Sequence, residues 1–257
     1  MKTYQSVLDN LLRFNKPLEG EVLWPYQDIL GLVTVGIGCL IENQVGDRAA
    51  LALSVPWVGG PTPRTVREEF AKVDALPKAM HFNRYRDACS LRLTEDGVLD
   101  LLQTRAEQFE AELLRGFPGW EDWPADAQMG VLGMSWACGP GFWRKFVNFH
   151  DYANARRWDM AAKCAGIRTD GNPGVVPRNA QVALCFANAA EIDSPDGYGT
   201  PALFWPGHVA PAVAPDTDPR AVPMSIHAAR AAELATQRFN IEQYGLTGHR
   251  HDLALAA

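Results

Sequence analysis

Glu19, Asp28 and Thr34 stand in the stretch LEGEVLWPYQDILGLVTVGIGCL, residues 18–40, and their types and spacing invite a chemical reading. Two carboxyl groups opposed across a gap are what cleavage of a glycosidic bond needs. One, protonated, donates to the leaving oxygen; the other handles water or the developing cation. Glu19 precedes the apolar Val22, Leu23 and Trp24, where desolvation would raise its pKa into the range of a general acid. Asp28 and Thr34 are equally far from Gly31, so a hairpin turning there would make them cross-strand neighbours that hold a water between carboxylate and hydroxyl. In the strand after the turn, Val33, Val35 and Ile37 would point one way and Thr34, Gly36 and Gly38 the other. Glycine weakens a strand and packs nothing, so Gly36 and Gly38 read as an open floor beside Thr34. Each residue also has a bland reading. A glutamate at a helix end, an aspartate before a turn and a strand threonine are ordinary, and the glycines can mark a bulge.

The elements that must position these groups are legible from periodicity. Val7, Leu8, Leu11 and Leu12 recur at helical spacing, and Gly20 stands where a C-terminal cap belongs, so the first helix should end near Glu19. Residues 22–41 read as a hairpin, with strands VLWPYQD and LVTVGIGCLI around a turn through ILG. From Gln44 to Arg92 the signals weaken, although Thr65 with Glu68 offers a capping box for a short helix. Thr94 caps a long helix whose apolar stripe runs through Val98, Leu101, Leu102, Phe109 and Leu113. A strongly apolar helix over 125–138 should be central to the core, with further helices near 142–155, 157–165 and 178–190. Prolines at 201, 206, 211, 215, 219 and 223 mark a wrapping segment, after which Ser225 can cap a last helix.

Composition narrows the classes. The chain has 257 residues and a formal net charge of −6, which lacks the basic footprint of a nucleic-acid binder. No apolar run approaches membrane-spanning length, and the amphipathic N-terminus is no signal peptide, so synthesis in the cytoplasm without membrane insertion is expected. Cys39, Cys89, Cys138, Cys164 and Cys185 include no C-x-x-C pair and are expected to be reduced. His249 and His251 lack a metal-site spacing, PDTDP lacks the glycine and glutamate of a calcium loop, and no metal or cofactor is expected. Trp120 and Trp123 read as core anchors of a turn.

Read as one string, the opening stretch resembles the T-even phage-type lysozymes, a muramidase family of tailed-phage endolysins. The resemblance rests on Glu19-Gly20, on Tyr26-Gln27-Asp28, and on Gly31-Leu32-Val33-Thr34-Val35-Gly36-Ile37-Gly38, in order and without a gap. RRWDMAAKCAGI followed by NPGVVPRNAQVALCF looks like the family's late helices, and LTEDGVLDLLQ like the start of its inter-lobe helix. The likeness covers residues 5–43 and 91–190. It implies an α+β, lysozyme-like two-lobed fold, with a small N-terminal β-hairpin lobe and a larger, mostly helical lobe. Residues 1–195 would form the catalytic domain with an insert at about 44–90, and 196–257 a proline-rich segment with a C-terminal helix. It further implies cleavage of the β-1,4 bond between N-acetylmuramic acid and N-acetylglucosamine in peptidoglycan, with inversion. Glu19 would be the acid, and Asp28 with Thr34 would position water. Gly36, Gly38, Leu40 and Trp136 would line the sugar cleft.

Departures from the family qualify the substrate fit. Cys39 stands where histidine is usual, Ala137 follows Trp136 where an amide side chain is usual, and two polar cleft positions fall at Lys145 and Cys164, which receive no role. Two other classes stay open: a lytic transglycosylase, which forms an anhydro product without water, and a degenerate protein that only binds peptidoglycan or serves a phage structure. Without a signal peptide, the enzyme would reach the wall through a holin lesion or by injection. The acidic charge, the insert and the proline-rich tail lean toward an injected antibacterial effector, which implies an immunity protein as a partner.

Overall fold

The structure is a computed structural model that describes residues 1–28, 30–170, 172–193 and 201–207. It is an α+β fold: a small antiparallel sheet in one unit and helices throughout the other. Among the described residues, 15–105 form the smaller unit, and 1–14 with 106 onward form the larger. The expected helix after Ser225, the prolines from 211 onward and the His249 and His251 pair lie outside the described residues.

In the smaller unit, α1 (Gln5–Glu19) contributes its last turn. Gly20 ends it at φ 74° and donates its N–H to Lys16 O at 3.0 Å, as its place in the sequence requires. Strands β1 (Val22–Gln27), β2 (Val33–Gly36) and β3 (Cys39–Leu40) follow, paired antiparallel in that order. Val22 pairs with Gly36 and Tyr26 with Thr34, so β1 carries two residues more than β2 over the same span. Pro25 lies in this bulge, where its missing N–H costs the ladder nothing, and Leu23 O turns away to accept from Leu93 N at 2.7 Å.

The weakly patterned stretch after residue 44 forms a 3-10 turn (Leu51–Ser54), then α2 (Pro63–Asp74) and the single turn α3 (Asn83–Arg86). The cap of α2 is not the expected Thr65–Glu68 box. Thr62 accepts from Thr65 N instead, because Pro63 occupies the first helical position, where no N–H is needed. Thr94 caps α4 (Glu95–Gly116) as expected, accepting from Gly97 N at 2.8 Å.

In the larger unit, α5 (Ala125–Cys138) is buried from Ala125 through Trp136 and packs on α8 (Val176–Ile192). Its glycines permit that approach: a Cβ on Gly130 would stand 2.9 Å from Phe186 Cζ. Around this pair lie α6 (Val147–Asn154) and α7 (Trp158–Cys164). Trp120 and Trp123 are buried anchors, as their turn position predicted. The N-terminus is tied down by the buried Glu110, which accepts from Lys2 N, Thr3 N and Thr3 Oγ1. Residues 204–205 are held in the same way by Asp126, which accepts both their N–H groups and Asn188 Nδ2. All five cysteines are free thiols. No helix among the described residues is long and apolar enough to cross a membrane.

Candidate active site

Glu19, Asp28, Thr34, Gly36, Gly38 and Leu40 all belong to the smaller unit; Trp136 belongs to the larger. The register differs from the one that symmetry about Gly31 implied. Thr34 faces Tyr26 across the ladder, and Asp28 faces Leu32, with Asp28 N donating to Leu32 O at 3.0 Å. Asp28 and Thr34 are therefore diagonal rather than direct neighbours. Tyr26, Thr34 and Leu40 make one row across the three strands, from a 3% exposed phenol to a half-buried leucine.

The reason for the shift is Asp28 itself. Its Oδ1 accepts from Leu30 N at 2.8 Å and from Leu32 N at 2.9 Å, while its carbonyl accepts from Gly31 N at 3.0 Å. The aspartate builds the loop from its own side chain, as short polar residues do at turns. Among the described residues no bond goes to Oδ2, so that oxygen is the half of the carboxylate open to a ligand.

Gly36 and Gly38 are not alternating positions of one strand. The strand stops at Gly36, turns through Ile37 and Gly38, and resumes as β3. Both glycines have φ 66°, a left-handed conformation that a side chain disfavours. The floor reading survives at one of them. A Cβ on Gly38 would lie 3.9 Å from Glu19 Oε2, so the helix-terminal carboxylate does reach the bare backbone of this turn.

The common neighbour of the three candidate groups is Tyr26, which the motif contains but whose role spacing does not reveal. Burial pushes its phenol well above the usual tyrosine range. A hydrogen bond with Thr34 opposes that shift, and the charges of Glu19 and Asp28 reinforce it. The phenol stays neutral, bonded to the Thr34 hydroxyl and within the field of both carboxylates. Thr34 Oγ1 also makes a long 3.5 Å contact with Tyr26 O. Cys39, in the same cluster, is buried, and burial raises its thiol; the Arg105 cation lowers it and Glu19 raises it further. The thiol stays neutral, a small apolar filler beside the carboxylate. Arg105 carried a signal in the sequence. It interrupts the apolar stripe of α4 between Leu102 and Phe109, where a core-facing residue was due.

The segment outside the family resemblance supports this site. Gln27 Nε2 donates to Val73 O at 2.7 Å and Leu76 O at 2.8 Å, with a longer bond to Asp74 O at 3.2 Å, closing the end of α2 onto β1 next to Asp28. The Lys78 side chain lies over Gly31, its Cδ 3.3 Å from where a Cβ would stand. Trp136 is 7% exposed and packs edge-to-face on Phe109 at 5.5 Å, so only a margin of its ring is open to a ligand. No cluster of metal-ligating side chains occurs among the described residues.

No known protein family matches the chain, and no curated protein matches it. What the arrangement can do chemically therefore rests on these residues. It brings a carboxyl group beside open backbone and a second, half-engaged carboxylate beside a hydroxyl. A buried phenol bonds that hydroxyl and feels both charges.

Proposed function

We propose that this chain is a muramidase, hydrolysing the β-1,4 bond between N-acetylmuramic acid and N-acetylglucosamine in bacterial peptidoglycan. The observation that carries this reading is Glu19 Oε2 against the bare turn at Gly38, in the same unit as a half-engaged Asp28 carboxylate diagonal to Thr34. Glu19 donates a proton to the leaving glycosidic oxygen. Asp28, through Oδ2, accepts a proton from water as it attacks the anomeric carbon, and the Thr34 hydroxyl orients that water. Tyr26 stays protonated throughout and holds Thr34 by hydrogen bond. Gly36, Gly38 and Leu40 border the sugar. The presence of both Asp28 and Thr34 favours hydrolysis over transglycosylation, which needs no bound water. An intact acid at Glu19 disfavours a binding-only protein. Action at the cell wall would follow holin release or injection, and in the second case an immunity protein would block this site.

Incubation with purified peptidoglycan should release fragments with new reducing muramic acid ends. Loss of a general acid costs on the order of 10³ in rate, so Glu19→Gln should abolish release within assay limits while its circular dichroism spectrum stays unchanged. Undiminished release by that variant, or products lighter by one water, would overturn the assignment.

A further inference from the structure

The chain is acidic, but its charge is unevenly placed. Residues 44–92 hold eight Lys and Arg against five Asp and Glu, net +3, and the remainder holds sixteen against twenty-five, net −9. Within 44–92, Arg48, Arg64, Arg67 and Lys72 each pair with a carboxylate. Lys78, Arg84, Arg86 and Arg92 make no ion pair with a described residue. These four cations fall within one short segment, beside a single lone carboxylate at Asp87. A stretch that served only to prop the hairpin would need no such excess.

Two of the four, Arg86 and Arg92, share a site. A depression of about 370 Å³ is lined by Glu69, Lys72, Arg86, Asp87, Ser90 and Arg92, among others. Glu69 is already engaged, by Lys72 Nζ and by Ser90 N, each at 2.5 Å. Arg92 donates to the carbonyls of Cys89 and Leu91 at 2.7 Å and of Arg86 at 2.9 Å, which fixes its guanidinium without neutralising it. The Arg86 and Arg92 guanidinium carbons stand 5.2 and 5.8 Å from the Trp24 ring centroid, so one indole of β1 gathers two positive charges. Trp24 lies on the strand that leads to Asp28, and Lys78 lies over the Asp28 loop at Gly31. Guanidinium groups with fixed geometry and spare charge recognise carboxylates.

We propose that the depression lined by Lys72, Arg86 and Arg92 forms a subsite for the carboxylate groups of the peptide stems on the glycan, so that the insert selects peptide-bearing strands over bare ones. This rests on the muramidase reading, and it names what that reading lacks: a way for a net-acidic protein to hold a polyanionic substrate. Residues 44–90, which hold every lining residue named here but Arg92, lie outside the family resemblance.

The test compares the wild type with Arg86→Glu, an exposed position that lines the depression and bonds none of Glu19, Asp28 and Thr34, after thermal melts confirm folding. Arg86→Ala serves in its place if the reversal variant does not fold. Substrates are intact peptidoglycan and the same glycan stripped of stems by an amidase. Reversal should lower kcat/KM roughly tenfold on intact strands, leave it unchanged on stripped ones, and lose its effect at about 0.5 M salt. Equal effects on both substrates, or none on either, would overturn the proposal. If the wild type cleaves neither glycan, the muramidase reading fails and calorimetry decides the subsite. Binding of the free stem tripeptide alanyl-γ-glutamyl-diaminopimelate that the reversal variant weakens tenfold supports it; binding that is absent or unaltered sinks it.

Discussion

Gly38 shows how one residue can be read correctly for its place and wrongly for its cause. Its openness toward Glu19 is real, but at 3.9 Å a methyl group would fit there; what demands glycine is φ 66°. Gly38→Ala should therefore cost about 1 kcal/mol of stability from backbone strain alone, seen as a lower urea midpoint with an unchanged slope. An unchanged midpoint would mean the turn relaxes to another conformation. Asp28 teaches the same lesson. Its spacing marked it as a partner for Thr34, but two N–H bonds to Oδ1 make it first the closure of its own loop. Tyr26 was in plain view within the motif, yet only cross-strand register reveals that Thr34 faces it. Spacing along a chain cannot show where a turn closes, and the loop that Asp28 closes onto Leu32 sets the partner.

At the scale of elements, the helices that carry strong periodicity and caps were legible, α1, α4 and α5 above all. The insert was not, because its helices are short and its turns are held by side chains distant in sequence. Gln27 is the clearest instance, donating to three carbonyls at the end of α2. Gln27→Leu should leave those buried or half-buried acceptors without a donor, at a cost of about 1–3 kcal/mol. Because Gln27 adjoins Asp28, the variant should lose kcat more than it raises KM. A thermal melt and steady-state kinetics check both, and a variant as stable as wild type would show that the insert holds itself in place.

At the scale of the whole molecule, stability should fall in acid, and Glu69 is one identifiable cause. Burial raises its carboxyl, but bonds from Lys72 and from Ser90 N outweigh this and lower it from 4.5 to about 2. A carboxylate depressed in the folded state contributes stability above its unfolded pKa, and that contribution fades as pH falls from 4.5 toward 2. The full shift is worth about 3 kcal/mol, reduced here because Lys72 stands in water. Glu69→Gln should flatten the decline of Tm between these pH values, and an equally steep decline would place the acid sensitivity elsewhere. The amino-acid sequence by itself determined the fold class, the long helices with their caps, and the three chemically able residues, because periodicity, capping and residue type act locally. Only the tertiary structure decided that Thr34 faces Tyr26, that Asp28 commits one carboxylate oxygen to its own loop, and that the insert holds the hairpin and gathers cations around Trp24. The first two outcomes depend on where the Asp28 loop closes, which spacing does not fix, and the last on bonds between residues forty or more positions apart, which no local pattern encodes.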